Sequence, residues 1–496
     1  MNIIAESGKE IVMMDDQDMG NGMDRNMKKR LTVLLFVVLL LSLAGCGEQD
    51  RWEENGAMTV QSIVLSGDDV KDHDTQYDDQ RNRETAGQTK NDAEAENRVT
   101  ESGSGSIRSE SGTLQPEIEN SQSGNADTAG ETAGENRKTD SGEGTGGDAF
   151  DEAMEKLLEQ MTLHEKICQM MLMSPEALTG VGTVTAAGET TKNALRENPV
   201  GGIIYFGKNL ADGAQTKEMI SNIQSYAEEI NGIGLFISVD EEGGKVARVA
   251  QKLGTTKLEP MYRYREEGEQ KAYDNAALIA RDIAQFGFNL DFAPVADTWS
   301  NRENTVIGER AYSDDFVQAA LLVAKAVEGF HSENMMCTLK HFPGHGDTAE
   351  DSHTGSAYSY RTLDELRNGE FLPFKAGIDA GADLIMAAHI TLPEIDELPA
   401  SLSPVIITDI LRNELEFEGV VITDSLSMKA LSDVYSYGTI AVMAVKAGDD
   451  MLLCQDGMEE MIQGLEAAVQ SGEISEERID ESVRRILKLK RKYGLF

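Results

Sequence analysis

Eight short apolar runs recur through residues 148–496, and segments with the periodicity of an amphipathic helix separate most of them. Short apolar runs that alternate with helical patterns are typical of parallel strands joined by helical crossovers, as in an α/β fold. The predicted strands are residues 168–173, 202–206, 235–240, 290–295, 337–341, 383–389, 419–424 and 451–455. Eight strands in about 350 residues favour a single (β/α)8 TIM-type barrel, with a doubly wound open sheet as the alternative.

Polar residues follow the carboxyl ends of many predicted strands, and this position favours the barrel. A (β/α)8 barrel builds its active site from the loops at that end of its strands. Helices are predicted at residues 315–332, 363–380 and 439–447 between the strands, and at residues 150–166 before the first of them. Functional residues are therefore expected in the loops that leave the carboxyl ends.

The loop at residues 340–355 (KHFPGHGDTAEDSHTG) is the richest in chemically active side chains. It holds His341, His345 and His353, three of the seven histidines, and its proline and glycines rule out a regular helix or strand. These residues suit a zinc site, an acid/base pair in which Asp351 orients His353, or a polar loop whose histidines satisfy backbone groups. The spacing matches neither HExxH nor CxxC, which disfavours the metal site.

The same loop resembles the signature of glycoside hydrolase family 3, in its β-N-acetylhexosaminidase branch, for which Asp-Ser-His at 351–353 is distinctive. Enzymes of this branch use an Asp-His pair as general acid/base, where most glycosidases use a second carboxylic acid. The resemblance implies that His353 is the acid/base and that Asp351 is its partner. It also implies a carbohydrate substrate, namely terminal non-reducing β-linked N-acetylglucosamine in peptidoglycan fragments or chitin-like oligosaccharides.

Asp424 stands at the end of the seventh predicted strand. A carboxylate in that position can cap the following helix, or it can be a nucleophile presented in the mouth of the barrel. Residues 419–428 (GVVITDSLSM) resemble the nucleophile segment of the family, which implies that Asp424 attacks the anomeric carbon. Asp409, inside a helical pattern, is the weaker rival.

The resemblance also implies a set of sugar-binding residues, which are Asp240, Arg248, Arg310, Lys340 and His341. Asp240 and Arg248 begin and end the segment DEEGGKVAR, and a carboxylate with a guanidinium suits vicinal hydroxyls. The alternative for this segment is a surface loop with an ion pair. Glu241 and Glu242 are expected to be solvated or structural, and Asp297 to be structural. His389 either lines the pocket or is a packed histidine.

Asp424 as nucleophile and His353 as acid/base, with Asp351 as its partner, predict retaining hydrolysis with no metal and no organic cofactor. An imidazole, with a reference pKa of about 6.5, can donate a proton to the leaving group and then accept one from water. Three alternatives stay open. The first is a β-glucosidase or an N-acetylglucosaminide phosphorylase on the same scaffold, the second a non-catalytic sugar-binding lipoprotein, and the third a metallohydrolase built on His341, His345 and His353. We expect the protein to act as a monomer.

Residues 1–46 are predicted to contain a secretory signal. A basic stretch at residues 27–30 precedes an apolar run at 31–44, and Gly45-Cys46 follows. Residues 43–46 (LAGC) resemble a bacterial lipobox, which implies that Cys46 carries a lipid. The apolar run is too short to span a bilayer comfortably, so an uncleaved anchor is the less favoured alternative. Met27 is the predicted true start, and the protein is expected to be exported and anchored to the outer face of the cytoplasmic membrane.

Residues 47–147 form a predicted disordered linker before the domain at 148–496. They are rich in Gly, Ser, Thr and charged residues, with 23 acidic and 9 basic side chains, too polar to form a core. The chain as a whole has a net charge of −42, which argues against nucleic acid as a partner. Cys168, Cys337 and Cys454 each lie in an apolar run, so they are predicted to be buried thiols and not a disulfide framework.

Overall fold

The computed structural model describes residues 3–7, 10–14, 145–349 and 355–496 of the 496-residue chain. Asp351, His353, Cys46 and the predicted linker up to residue 144 therefore lie outside the described residues. In the unit formed by residues 1–128, strands Ile3–Ser7 and Glu10–Met14 pair in antiparallel fashion. The unit formed by residues 129–496 holds the α/β fold and is the subject of all that follows.

Eight parallel strands form the centre of this unit, and we number them β1 to β8. They are Met171–Met173, Gly202–Ile204, Phe236–Val239, Leu290–Asp291, Met336–Phe342, Leu384–Ala387, Val420–Thr423 and Leu452–Cys454. The order in the sheet is β7-β6-β5-β4-β3-β2-β1-β8, and a parallel bridge between Ile422 and Met451 brings β7 to β8. The sheet is thus a nearly closed barrel, as the alternating pattern predicted, and not an open doubly wound sheet.

Helices separate the strands. The α-helices are Thr145–Gln160, Leu163–Gln169, Pro175–Thr179, Glu189–Glu197, Gly213–Asn231, Arg248–Leu253, Glu269–Ala284, Phe316–Ser332, Leu363–Asn368, Phe371–Asp379, Lys429–Ser432, Tyr437–Ala447, Met458–Ser471 and Glu476–Lys492. Short 3-10 helices lie at Gly207–Asn209, Met261–Glu267, Gly308–Arg310 and Ala400–Leu402, and Val405–Glu414 is a π-helix. Among the described helices, none is long and apolar enough to span a membrane.

Two predicted helices are broken in the structure. Residues 150–166 divide at Thr162, whose side chain accepts from the Glu165 N–H while the Glu165 carboxylate accepts from the Thr162 N–H. This capping box starts a new helix in the middle of an otherwise helical pattern. A second capping box starts the helix after Thr362, and that helix ends at Gly369, so residues 363–380 also form two helices.

The barrel strands are buried along their whole length, which explains their continuous apolar sequence. Short additional strands extend the chain beyond the carboxyl ends of two of them. Glu241–Gly243 pairs with Val246–Ala247 after β3, and Ile390–Leu392 pairs with Ala357–Tyr358 and Asp396–Pro399 after β6. Cys168, Cys337 and Cys454 are buried free thiols, as predicted, although Cys168 lies in a helix and not in a strand.

Candidate active site

The polar side chains beyond β3 and at the end of β5 form an ion network around Lys340. This lysine is 2% exposed, and its Nζ lies 2.7 Å from Asp240 Oδ1 and 2.6 Å from Glu242 Oε1. Arg310 donates from Nε and Nη2 to the two oxygens of Glu242, both at 2.8 Å. Asp240 and Arg310 are 21% and 18% exposed, so they are the members that a ligand can reach most easily.

Burial and ion pairing act in opposite directions within this network. Burial alone would lower the pKa of Lys340, but the charges of Asp240 and Glu242 outweigh it and raise this pKa above its ordinary value. Burial alone would raise the pKa of Glu242, but Arg310 and Lys340 hold it well below its usual range. Lys340 and Glu242 are therefore both charged at neutral pH, and each keeps the other in place.

A second cluster forms around Asp297, which is buried beyond β4. Its carboxylate accepts the backbone N–H of His341 at 3.1 Å and that of His345 at 2.6 Å. The Oδ2 atom also lies 2.6 Å from His341 Nδ1. An ionised carboxylate only accepts hydrogen bonds, so Nδ1 carries the ring proton, and Nε2 then faces the Arg310 Nη2 at 3.5 Å. Asp297 thus fixes both the ring and the backbone of His341, a residue predicted to bind the sugar.

The pKa values in this cluster agree with that arrangement. Burial would raise the pKa of Asp297, but His341 outweighs it and lowers this pKa below its ordinary value. Burial is the main reason why the pKa of His345 falls below its ordinary value. His345 is therefore neutral at neutral pH and is held by its contacts with Asp297 and Thr348.

Asp424 directly follows β7 and is partly exposed. Its backbone N–H donates to the Ala387 carbonyl at 2.8 Å, which ties the end of β7 to the end of β6. The next helix, Lys429–Ser432, has Met428 at its N-cap, so Asp424 does not cap it. The neighbouring Ala388 N–H donates to the Phe342 carbonyl at 2.8 Å, so the ends of β7, β6 and β5 lie side by side. The capping alternative is therefore wrong, and the role of nucleophile stays a prediction.

The predicted acid/base pair, Asp351 and His353, lies outside the described residues. Asp347, which precedes the pair in the chain, contacts two residues that follow the pair. Its two carboxylate oxygens accept from Ser359 Oγ at 2.9 Å and Arg361 Nη2 at 3.0 Å. Among the described residues, no group of three potential metal ligands forms at this end of the barrel.

Asp240 and Arg248 stand at the two ends of the short hairpin after β3. The Arg248 N–H reaches the Asp240 carbonyl at 3.5 Å, but the carboxylate of Asp240 pairs with Lys340. The partly exposed guanidinium of Arg248 forms no hydrogen bond with any residue that the structure describes. The alternative of a surface ion pair within this loop is therefore wrong, and the sugar-binding role of Arg248 stays a prediction.

Glu241 and Asp291 form a buried carboxyl pair next to the network. Asp291 Oδ1 accepts the N–H of Glu241 at 2.9 Å, and the Glu241 carboxylate accepts the N–H groups of Val249 and Ala250 at 2.6 and 3.0 Å. Burial raises the pKa of Glu241 to about 7 and that of Asp291 well above its ordinary value. Of the two roles expected for Glu241 and Glu242, the structural one is thus correct and the solvated one is wrong.

His389 is a packed histidine. It is buried, with Nδ1 at 2.7 Å from Ser401 Oγ and Nε2 at 2.9 Å from the Ser425 carbonyl. Both ring nitrogens are therefore engaged with the chain, and His389 positions the segment that follows Asp424. Of the two roles that the sequence left open, the packed one is observed.

The structural role expected for Asp297 is observed, because Asp297 holds His341 in place. The sequence analysis did not name the specific partners of Glu242 and Asp297. A signal for Glu242 was present, because alternate residues of an extended segment lie on the same side. Asp240 and Glu242 are two residues apart and both contact Lys340. For Asp297 the partner carried no local signal, because His341 is 44 residues away and is reached only through the pairing of neighbouring strands.

Residues 162–489 match the glycosyl hydrolase family 3 N terminal domain. The chain belongs to glycoside hydrolase family 3. It is 38% identical over 284 residues to a β-hexosaminidase of Stenotrophomonas maltophilia, a match that covers 56% of this chain and 82% of that protein. It is also similar to the structure of a family 3 β-N-acetylglucosaminidase from Paenibacillus, with a TM-score of 0.64, 38% identity and coverage of 68% and 63% of the two chains. These matches confirm the resemblance to glycoside hydrolase family 3 that residues 340–355 indicated.

We predict that the ion network around Lys340 stabilises the folded protein. Glu242→Gln should lower the free energy of unfolding at pH 7 by about 3 kcal/mol, because it leaves Arg310 and the buried Lys340 without their shared anion. The contribution of Glu242 is complete above the ordinary pKa of a glutamate, about 4.3, and is lost as the pH falls toward the lowered pKa of the folded state. Urea unfolding measures the change.

The matched control is Glu266→Gln. Glu266 also pairs with an arginine, Arg265, but its side chain is 76% exposed. Its replacement should change the free energy of unfolding by less than about 0.5 kcal/mol. Equal effects at the two positions would mean that the network contributes nothing beyond an ordinary surface ion pair.

Proposed function

We propose that this protein is a retaining exo-β-N-acetylhexosaminidase that releases terminal non-reducing N-acetylglucosamine from β-linked glycans. The observation that carries the proposal is the position of Asp424 at the carboxyl end of β7, which hydrogen bonds tie through β6 to the end of β5, at the end of the barrel that also holds the Lys340 network. A carboxylate next to fixed hydrogen-bonding groups for sugar hydroxyls suits glycoside cleavage. The names of the family 3 relatives agree with this activity.

In the proposed first step, Asp424 attacks the anomeric carbon from the face opposite the leaving group. The bond from that carbon to the leaving oxygen breaks, and His353 gives its proton to that oxygen. The product is a glycosyl ester on Asp424. In the second step His353, now neutral, takes a proton from water, and the water oxygen attacks the anomeric carbon and frees Asp424. The anomeric configuration is inverted twice and hence retained.

The described residues supply the binding part of this mechanism. Asp240 accepts from a sugar hydroxyl and Arg310 donates to one, and both are held by Lys340 and Glu242. His341 presents Nε2 from a ring that Asp297 fixes through Nδ1. Because these groups are held before substrate arrives, little reorganisation is needed when the sugar binds. We assign Arg248 to the same set of sugar-binding residues.

An assay of nitrophenol release tests the function. The β-N-acetylglucosaminide should be cleaved and the β-glucoside should not, at rates that neither phosphate nor a chelator changes. N-acetylglucosamine should be the sugar product. A sugar 1-phosphate as the product would show a phosphorylase, a preference for the β-glucoside would show a β-glucosidase, and no release from either would leave a binding protein.

The proposed location is the outer face of the cytoplasmic membrane, through a lipid on Cys46. A flexible linker of about 100 residues has a root-mean-square span of roughly 50–60 Å. That span would let the barrel reach glycans in a surrounding wall layer, which agrees with peptidoglycan fragments as substrates. The proposed unit of function is one chain, since the described network takes all its residues from a single barrel.

Replacing the predicted lipid acceptor tests this location. Cys46→Ala should release the protein from the membrane fraction without changing kcat or KM, because Cys46 precedes the linker and the barrel carries the chemistry. Fractionation of cells that express each form gives the answer, and Cys168→Ser serves as the control for loss of a thiol. Unchanged membrane association of the Cys46→Ala variant would contradict the lipid anchor.

A further inference from the structure

A second cluster of reactive side chains lies at the opposite end of the barrel. His331 is near the end of helix Phe316–Ser332, Cys337 is the second residue of β5, and Asp383 immediately precedes β6. One potential ligand atom from each of the three lies within 4.8 Å of the other two. Along β5, Cys337 is three residues from Lys340, or roughly 10 Å at the rise of a strand. The cluster is therefore separate from the candidate active site.

The three side chains converge on a single nitrogen atom. His331 Nε2 lies 2.8 Å from Asp383 Oδ2 and 3.7 Å from Cys337 Sγ. In a tetrahedral zinc site, bonds of about 2.0–2.3 Å place neighbouring ligand atoms roughly 3.3–3.8 Å apart. The His331–Cys337 separation already has this value, and the carboxylate needs to move by less than about 1 Å to reach it.

The chain contains an internal comparison with the same three kinds of side chain. His164 contacts Cys168 Sγ through Nε2 at 3.5 Å, but it contacts Glu466 through Nδ1 at 2.9 Å. The thiol and the carboxylate thus lie on opposite edges of that ring, and one ion cannot bind all three groups. At His331 both partners contact the same edge, which is the geometry that a shared ion requires.

We propose that His331, Cys337 and Asp383 bind a thiophilic divalent cation of the zinc type. On binding, the Sγ–H bond of Cys337 breaks, its proton passes to solvent, and an Sγ–metal bond forms. His331 Nε2, which donates its proton to Asp383 in the structure, gives that proton up to solvent while Nδ1 takes one from solvent, so that the neutral ring supplies a lone pair from Nε2. Asp383 Oδ2 is the third ligand. No electron is transferred. Cysteine, histidine and carboxylate are the usual ligands of zinc, and water takes a fourth position.

The surroundings of Asp383 indicate what the ion would do. Lys492 donates to Oδ1 at 2.6 Å and Tyr493 donates to Oδ2 at 2.8 Å, both from the end of the last helix. Lys492 is 55% exposed, so its ammonium can turn to solvent when a cation arrives. His331, at 24% exposure, gives the ion a route from solvent. An ion here joins two strands, one helix and, through Asp383, the C-terminal segment, so its role is to stabilise the barrel.

A cobalt titration tests the site. The protein is the full chain carrying Cys46→Ala, treated with chelator and then dialysed. Cobalt should bind one ion per chain with a thiolate-to-cobalt charge-transfer absorption band. Cys337→Ser should abolish the band, and His331→Gln should weaken binding at least tenfold, since loss of one ligand removes a third of the protein's donor set. Cys168→Ser should leave the band unchanged, because Cys168 and Glu466 contact opposite edges of the His164 ring and form no shared site.

Two further measurements decide the proposal even if Cys337→Ser does not fold. At one fixed zinc concentration, the melting temperature of the parent protein should rise by more than that of His331→Gln, because binding to the native state stabilises it by mass action and the variant binds more weakly. Glycosidase turnover should be the same with and without the ion. Absence of the band in the parent protein, or its survival in Cys337→Ser, would overturn the site. The inference is independent of the proposed function, since it needs no sugar substrate.

Discussion

Asp424→Asn is expected to reduce kcat for nitrophenyl β-N-acetylglucosaminide by roughly 10⁴- to 10⁶-fold, the range found when an enzyme loses a member of its nucleophilic apparatus. The amide keeps the volume of the side chain and its place at the end of β7. It is a poor nucleophile and cannot form the glycosyl ester. Both the activated substrate and natural disaccharides should be affected, because the first step of each needs the carboxylate.

Asp409→Asn is the matched control. Asp409 is the other aspartate considered for the role, and it is exposed on the π-helix Val405–Glu414. Its replacement makes the same chemical change away from the carboxyl ends of the strands, so kcat should be unchanged. Binding of N-acetylglucosamine should persist in Asp424→Asn, since Asp240 and Arg310 are intact. Substantial turnover in Asp424→Asn, or loss of turnover in Asp409→Asn, would contradict the assignment.

His353→Ala is expected to fail in a way that depends on the leaving group. Protonation by a general acid, worth about 10²- to 10⁴-fold, matters most when the departing oxygen is basic. Nitrophenolate leaves with little help, so the first step should survive on the activated substrate. The second step still needs a base, so the glycosyl-enzyme should accumulate and produce a burst of nitrophenol before a slow steady rate.

In a natural disaccharide the leaving sugar departs as a basic alkoxide, so the first step should be lost on these substrates as well. Asp351→Asn should resemble a milder His353→Ala, because it removes the charge that orients the imidazole and supports its protonated form. Stopped-flow absorbance on the activated substrate and product analysis on chitobiose separate the two steps. Equal losses on both substrates without a burst would mean that this loop serves binding or structure and not acid/base catalysis.

The fold was predictable from the sequence because each barrel strand is buried on both sides and therefore reads as an uninterrupted apolar run. The boundaries were less predictable. Cys168 continues such a run into a helix, and the capping box at Thr162 divides a continuous helical pattern. Apolar composition marks what is buried, whereas a helix end depends on one or two hydrogen bonds.

The candidate site was predictable where a motif marks it. Asp240, Arg310, Lys340 and His341 were named from local segments, and the structure brings them into one region. The charges that hold them were not predictable in this way, because the burial of Glu242 and Asp297 depends on contacts between strands. Convergence on His331 was equally hidden, since its partner Asp383 is 52 residues away.

Mass spectrometry of the trapped intermediate tests the central claim most directly. His353→Ala is mixed with nitrophenyl β-N-acetylglucosaminide, quenched in acid during the burst, and digested with pepsin. An increase of one N-acetylhexosamine residue is predicted on the peptide that contains Asp424, and it should be absent when Asp424→Asn is added to the same chain. A burst with the sugar on a different carboxylate, or unchanged labelling in the double variant, would contradict the account.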